Sequence, residues 1–187
     1  ADTGIVFIRT DLPGRPSVQA HLTNVTNTMR ATTLENGEAK VFTVEHLLSA
    51  LSGMEVDNCF VEMDSVEPPV ADGSSLTFVK LIEEAGIRDL DAPRRLLAVQ
   101  KQHLVQEGDK FIAIVPYDGF RITFTSINPH PMLGVQFLDT TITKESYVRD
   151  ISFARTIAFT EELEMLKKLG LGKGGTIENV VVYDKTS

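Results

Sequence analysis

Glu45 and His46 are the adjacent pair in this chain whose residue types point most directly to chemistry. A neutral imidazole is a common metal ligand, and an ionised carboxylate beside it can act as a base toward a metal-held water. The pair also has a structural interpretation, in which Glu45 suits the start of a helix and His46 is a half-buried, hydrogen-bonded histidine. From these two residues alone the structural interpretation is the more frequent one, because short motifs often match by chance.

Residues 43–53 are predicted to form the helix that positions this pair. Apolar residues recur there at i, i+3, i+4 and i+7, with Thr43 as the N-cap and Gly53 as the C′ residue. A helix start has unpaired N–H groups and a partial positive charge. We therefore expect Glu45 to stay ionised and His46 to stay neutral.

Composition restricts the class of protein. With 187 residues, 42% of them hydrophobic, the chain can bury a sizeable core in one domain or two small ones. A net charge of −8 argues against a nucleic-acid partner, although a local basic pocket for one phosphorylated small molecule is allowed. Cys59 is the single cysteine, so no internal disulfide forms. No apolar run reaches the roughly 18 residues of a transmembrane segment, and a monomer is favoured.

Patterning along the first half predicts a small sheet and two helices. Strands are expected at residues 5–8, 18–22 and 56–63, and a hairpin through Asn36-Gly37 leads into residues 39–42. Ser74 is predicted to cap a second helix that Gly86 ends. Residues 89–93 look like a linker.

The second half reads as a meander of strands followed by a helix. Extended segments are expected at residues 96–99, 104–106, 111–115, 120–124, 135–138, 140–143 and 179–183, and a helix at residues 161–169. The predicted fold class is therefore α+β, with a first domain at residues 1–91 and a second at residues 95–187.

Other candidate residues have open interpretations. The glycine-rich residues 170–175 are better explained as a helix C-cap and turn than as a phosphate loop, because they follow a helix and lack Gly-Lys-Ser/Thr. Thr156 is either an ordinary hydroxyl or an oxyanion donor, and Met29 is either core filler or a ligand contact. His130, between two prolines, is expected in an exposed loop.

Four ordered motifs carry a resemblance to a known family: T-V-E-H-L-L-S-A-L-S-G-M-E-V-D-N-C from Thr43, E-P-P-V-A-D-G-S-S from Glu67, A-R-T-I-A-F from Ala154 and G-L-G-K-G-G-T from Gly170. With these motifs the chain closely resembles the UDP-3-O-acyl-N-acetylglucosamine deacetylase (LpxC) family over essentially its whole length. The resemblance implies a cytoplasmic zinc hydrolase of lipid A biosynthesis, which removes the N-acetyl group of a UDP-linked acylated glucosamine and releases acetate. It also implies two sheet-plus-helix-pair domains packed helix face to helix face.

The resemblance assigns roles to individual residues. His46 matches a zinc ligand, and Glu45 matches the general base toward the attacking water. Thr156 matches the hydroxyl that steadies the oxyanion, and Glu162 matches an acidic residue of the active site. The matches to substrate-contacting positions are Met29, Ile157 and Gly175, with Lys110 near the nucleotide diphosphate; Ile157 departs from the aromatic residue expected there.

The resemblance also implies that this is a partial chain. The family's remaining zinc ligands, a His and an Asp four residues apart beside a Lys, and the His that protonates the leaving amine are expected beyond Ser187. An opening strand is expected before Ala1. Two alternatives stay open: a non-catalytic fragment or relative that binds an acylated nucleotide sugar, and an unrelated metal hydrolase in which His21 or His103 joins His46.

Overall fold

The structure is a computed structural model that describes residues 1–168, 170, 172 and 174–186. Within those residues it contains four α-helices and several small sheets, which confirms the α+β class. None of the helices in the described part of the chain is long and apolar enough to span a membrane.

The elements are short strands, in runs of up to four, separated by single helices. The first half contains β1 (Ile5–Arg9), β2 (Ser17–Gln19), a 3₁₀ helix (Leu22–Asn24), β3 (Val25–Asn27), β4 (Thr33–Asn36), β5 (Ala39–Val41), α1 (Glu45–Gly53), β6 (Cys59–Met63) and α2 (Leu76–Ala85). The second half contains β7 (His103–Glu107), β8 (Lys110–Ile114), β9 (Arg121–Ile127), β10 (Val135–Thr141), α3 (Lys144–Asp150), β11 (Ile157–Phe159), α4 (Thr160–Lys168) and β12 (Val181–Tyr183).

Two three-stranded sheets form the first half. One has the order β2-β1-β6, with β1 and β6 parallel, and the other has the order β3-β4-β5. Their apolar side chains share one core with the start of α1: Phe7, Val18, Leu34, Ala39, Val41, Val44 and Met63. The first turn of α1, with Glu45 and His46, is thereby fixed against both sheets.

A layer of helices joins the two halves. Buried residues from α1, α2 and α3 form a second apolar cluster: Ala50, Met54, Phe78, Val79 and Tyr147. Tyr147 of α3 is buried, and its hydroxyl is 2.9 Å from Ser49 Oγ of α1. The second half otherwise consists of the hairpins β7–β8 and β9–β10 and a parallel β11–α4–β12 unit.

The predicted caps of α1 are wrong. Thr43 has a φ of +52°, and its Oγ1 donates to Glu67 Oε1 at 3.0 Å, while Val44 occupies the N-cap position without a side-chain cap. Gly53 is the last helical residue rather than the C′ residue. A Cβ at Gly53 would lie 2.2 Å from the Tyr147 ring, so the glycine makes room for α3. By contrast, Gly86 ends α2 with a φ of +76°, as predicted.

Other elements also differ from those predicted from the sequence. Residues 96–99 are not a strand, and Leu22 begins a 3₁₀ helix instead of ending β2. Helix α3 was not predicted, because its capping box pairs Thr143 with Ser146 rather than with the usual Glu or Gln. Of the predicted helix 161–169 and glycine-rich segment, Leu169, Leu171 and Lys173 lie outside the described residues.

Candidate active site

Glu45 and His46 lie in the first turn of α1, and both are half-buried. Glu45 Oε2 accepts a hydrogen bond of 3.2 Å from the backbone N–H of Thr32. Within the described part of the chain, the His46 ring makes no hydrogen bond. The carboxylate is therefore oriented by a neighbouring loop, and the imidazole is left free to bind another group.

The loop that orients Glu45 also reaches the second half of the chain. Residues 28–32, here the Arg30 loop, connect β3 to β4. Arg30 donates to both carboxylate oxygens of Glu162 on α4, at 3.2 Å to Oε1 and 2.5 Å to Oε2. Met29 in the same loop has an exposed side chain, 57% accessible, so it is not core filler. The Arg30 loop thus brings Glu45, Met29 and Glu162 into one neighbourhood.

A second loop, residues 66–75 and here the Gly73 loop, holds Thr156. The Gly73 carbonyl accepts a 2.9 Å hydrogen bond from Thr156 N–H. Gly73 has a φ of +79°, and a Cβ there would lie 1.6 Å from the Asn179 carbonyl oxygen. Only glycine permits both this backbone conformation and this approach. The other end of the loop reaches the start of α1 through the bond between Thr43 and Glu67.

Hydrogen bonds to Asp72 fix the conformation of the Gly73 loop. Its Oδ1 accepts hydrogen bonds from Ser74 N–H, Ser74 Oγ and Thr77 Oγ1 at 3.2, 2.8 and 3.2 Å. Partial burial acts to raise the pKa of Asp72, but the hydrogen bonds from Ser74 and Thr77 prevail and hold that pKa below its ordinary value. Ser74 Oγ in turn accepts from Leu76 N–H at 3.1 Å, but Ser75 occupies the N-cap position of α2 without a side-chain cap, so the predicted cap is wrong by one residue.

Thr156 is fixed through its backbone and not through its side chain. Its N–H is bound to Gly73, and its C=O accepts from Val181 N–H at 3.0 Å. Among the described residues no hydrogen-bond partner engages the Thr156 hydroxyl, so this group is available to a ligand. Ile157 follows at the start of β11 with a partly exposed side chain.

Asn179 shapes the turn that contains Gly175. Its side-chain Oδ1 accepts from Thr176 N–H at 2.7 Å, and its Nδ2 donates to the Gly174 carbonyl at 3.0 Å. A Cβ at Gly174 would approach Val70 of the Gly73 loop to 3.4 Å. The motif that contains Gly175 therefore packs beside the motif that contains Gly73.

Lys110 and the other histidines are not joined to this neighbourhood by hydrogen bonds or ion pairs in the described residues. Lys110 is exposed at the turn of the β7–β8 hairpin, and His103 is exposed on β7. His21 caps the 3₁₀ helix through Thr23. The expectation of an exposed His130 is wrong: its ring is half-buried against Phe159 and Tyr183, and Nε2 donates to the Asp184 carbonyl.

A metal site is not complete in the described residues. They contain no group of three or more His, Cys, Asp or Glu side chains placed to hold an ion. The free, half-buried imidazole of His46 beside the oriented carboxylate of Glu45 offers the ligand types that zinc favours, which are nitrogen and carboxylate oxygen. One imidazole is nevertheless too few, because structural and catalytic zinc sites use at least three protein ligands.

Comparison with known proteins shows which family the sequence of this chain matches. The model of the family described as LpxC, UDP-3-O-acyl N-acetylglycosamine deacetylase, matches residues 1–187. The chain belongs to this family. The LpxC relatives include a UDP-3-O-acyl-N-acetylglucosamine deacetylase of Teredinibacter turnerae, 44% identical over 186 residues, which are 98% of this chain and 61% of the relative. One of Pseudomonas entomophila is 42% identical over 187 residues, 99% of this chain and 62% of the relative. The chain thus spans about three-fifths of the length of these relatives.

Sequence reasoning missed the residues that arrange the LpxC motifs around one another. Arg30, Thr32, Gly73 and Asn179 act through contacts with residues that are distant along the chain. For Gly73 and Asp72 a signal was available, since Asp-Gly lies within a recognised motif, but it indicated only a tight turn. No local pattern distinguishes Arg30 from an ordinary surface arginine.

Proposed function

We propose that the whole protein is a cytoplasmic, zinc-dependent deacetylase that hydrolyses the N-acetyl group of UDP-3-O-acyl-N-acetylglucosamine in lipid A biosynthesis. Membership of the LpxC family and the names of its relatives support the reaction. The observation that carries the proposal is the convergence of the four motifs on one neighbourhood. The Arg30 loop links Glu45 to Glu162, and the Gly73 loop links Thr43 to Thr156.

The residues of this chain have distinct tasks in the proposed reaction. His46 would be one zinc ligand, with the remaining ligands contributed by residues that follow Ser187. When bound, zinc lowers the pKa of a water molecule and polarises the acyl oxygen. Glu45 accepts the proton of the attacking water, and the bond from Thr32 N–H keeps its carboxylate in one orientation.

Further residues stabilise charge and hold the substrate. The free hydroxyl of Thr156 donates to the oxyanion that forms as the acetamide carbonyl becomes tetrahedral. Glu162, held by Arg30, is the acidic residue on the opposite side of the Arg30 loop. Met29, Ile157 and Gly175 contact the substrate, and Lys110 binds near its diphosphate.

We also propose that the chain divides into domains at residues 1–91 and 95–187. Every sheet takes all its strands from one side of this boundary, and residues 86–102 contain no helix or strand. The proposed active site then lies between the domains.

The experiment that tests the function measures acetate release and zinc content in the full-length, zinc-loaded protein. Glu45→Gln is expected to keep its zinc and to lose about 10²- to 10⁴-fold in kcat, because the general base is gone. Glu35→Gln, on β4 and paired with Lys40, is the matched control and should retain activity. Full activity in Glu45→Gln would remove Glu45 from the mechanism.

Histidine substitutions separate the alternatives. His46→Ala is expected to lose zinc, whereas His21→Ala and His103→Ala should keep it. Loss of zinc from either of the last two would favour the unrelated metal hydrolase. A zinc-loaded wild-type protein that binds the nucleotide sugar but releases no acetate would be the non-catalytic relative.

A further inference from the structure

Arg30 has a backbone conformation that side chains rarely adopt. Its φ is +67°, in the left-handed region, where a Cβ makes unfavourable contacts. Such strain persists only where surrounding contacts determine it, and it is concentrated at functional sites. The contacts that hold Arg30 in this conformation are therefore informative.

The ion pair with Glu162 is the contact made by the Arg30 side chain. Both guanidinium–carboxylate bonds form, which gives the pair a fixed fork geometry. The two side chains remain 41% and 30% exposed, so water weakens the attraction without removing it. The partners are 132 residues apart, and the pair thereby fastens the Arg30 loop to α4.

The Arg30 loop is also fastened on both sides of Arg30. Asn27 Oδ1 accepts from Met29 N–H at 2.7 Å, and Thr32 N–H donates to Glu45 Oε2 at 3.2 Å. The bond to Glu45 thus lies two residues from the strained position. Displacement of Arg30 would move the donor that orients Glu45.

We propose that Arg30 is a positioning residue, which through its ion pair with Glu162 holds the Arg30 loop so that Thr32 N–H stays on the Glu45 carboxylate. The catalytic consequence rests on the proposed function, whereas the structural coupling does not. Arg30 acts through Thr32 and Glu45 and is not itself assigned a contact with the reacting atoms.

Amide hydrogen exchange at Thr32 in the full-length protein tests the coupling without any assay of activity. Arg30→Ala and Glu162→Gln are each expected to speed Thr32 exchange about three- to tenfold, and the double variant no more than that. Arg30→Gly removes the side chain and relieves the backbone strain, so it should fold well and still show the faster exchange.

Arg15→Ala is the matched control. Arg15 also has a positive φ, of +48°, and an ion pair with a distant residue, Glu62, but among the described residues its loop makes no hydrogen bond or ion pair with Glu45. Thr32 exchange in this variant should equal the wild-type rate. Unchanged Thr32 exchange in both Arg30→Ala and Arg30→Gly would overturn the proposal.

Kinetics test the catalytic consequence. Because a loosened Glu45 affects the chemical step, Arg30→Ala should lower kcat about three- to tenfold with KM changed less than about twofold, and Arg30→Lys should recover part of kcat. A rise in KM alone, or wild-type kcat, would overturn the positioning role. If the wild-type protein releases no acetate, the proposed function fails, while the exchange data still decide the coupling.

Discussion

At the scale of single residues, the Asp72 carboxylate in the Gly73 loop makes the stability of the fold depend on pH. Its pKa is held below the ordinary value by donors from Ser74 and Thr77, against the opposing effect of burial. A group whose pKa is lower in the folded state stabilises the fold above its unfolded pKa, about 3.9. That stabilisation is lost as the pH falls through the lower, folded-state pKa.

Asp72→Asn is therefore expected to lower the free energy of unfolding by about 1 kcal/mol at pH 7, since the amide oxygen still accepts hydrogen bonds but without the charge. The difference from the wild type should shrink when urea unfolding is repeated at about pH 3, where the aspartate is largely protonated in the unfolded chain, and should vanish only below the folded-state pKa. Asp64→Asn, at an exposed residue of the preceding segment, should change stability little. A deficit for Asp72→Asn that is constant with pH would exclude the charge as its origin.

Some features of the candidate site residues could be predicted from the sequence, and others could not. Glu45 and His46 could be placed on a helix because the apolar spacing of α1 is local information. The contacts of Thr156 with Gly73 and of Glu45 with Thr32 could not, because they join segments that only the folded chain brings together. The motif resemblance supplied residue roles, and the structure supplied the loops that hold those residues in place.

At the scale of elements, the packing of α3 on α1 depends on the absence of a side chain at Gly53. Three ring atoms of Tyr147 lie 2.2 to 2.4 Å from the position of a Cβ there. The ring is only 4% exposed, and its hydroxyl contacts Ser49, so it has little freedom to move. Because α1 contains Glu45 and α3 leads to Thr156, this contact sets how the two sides of the site meet.

Gly53→Ala is accordingly expected to destabilise the protein by about 1–3 kcal/mol through overpacking, although alanine is the better helix former. Ser52→Ala, one residue away on the exposed side of α1, should be neutral or slightly stabilising. Urea unfolding of both variants measures the difference. In a Tyr147→Leu background the cost of Gly53→Ala should shrink, and an undiminished cost there would show that the ring is not the obstacle.

The location of a residue's partner explains which helix ends could be predicted from sequence. For α2 the end at Gly86 was predicted correctly and the start to within one residue, because Gly86 and Ser74 both bond to their own helix. For α1 the ends were wrong, because Thr43 binds Glu67 and Gly53 accommodates Tyr147. A capping residue is identifiable from sequence when its partner is within a turn, and not when its partner is across the molecule.

At the scale of the whole molecule, apolar surface is distributed unevenly. Among the described residues, the buried apolar side chains come mostly from the first half, whereas strands β7 to β10 leave these large apolar side chains exposed: Leu104, Val105, Phe111, Ile112, Ile114, Phe124, Ile127, Val135, Phe137 and Leu138. Large exposed apolar patches on a soluble protein favour association. The polypeptide of residues 1–187, prepared alone, is therefore expected to bind a hydrophobic dye and to self-associate at micromolar concentration.

Substitution on these strands should reverse that behaviour. Ile112 and Phe137 are 77% and 67% exposed, so Ile112→Glu and Phe137→Glu remove apolar surface at little cost in packing. Dye fluorescence and sedimentation should both shift toward the monomer, with thermal stability nearly unchanged. Gln136→Glu, next to Phe137 and also exposed, makes the same change in net charge without removing an apolar side chain. An equal effect from Gln136→Glu would mean that repulsion between chains of net charge −8, and not the apolar strands, governs association.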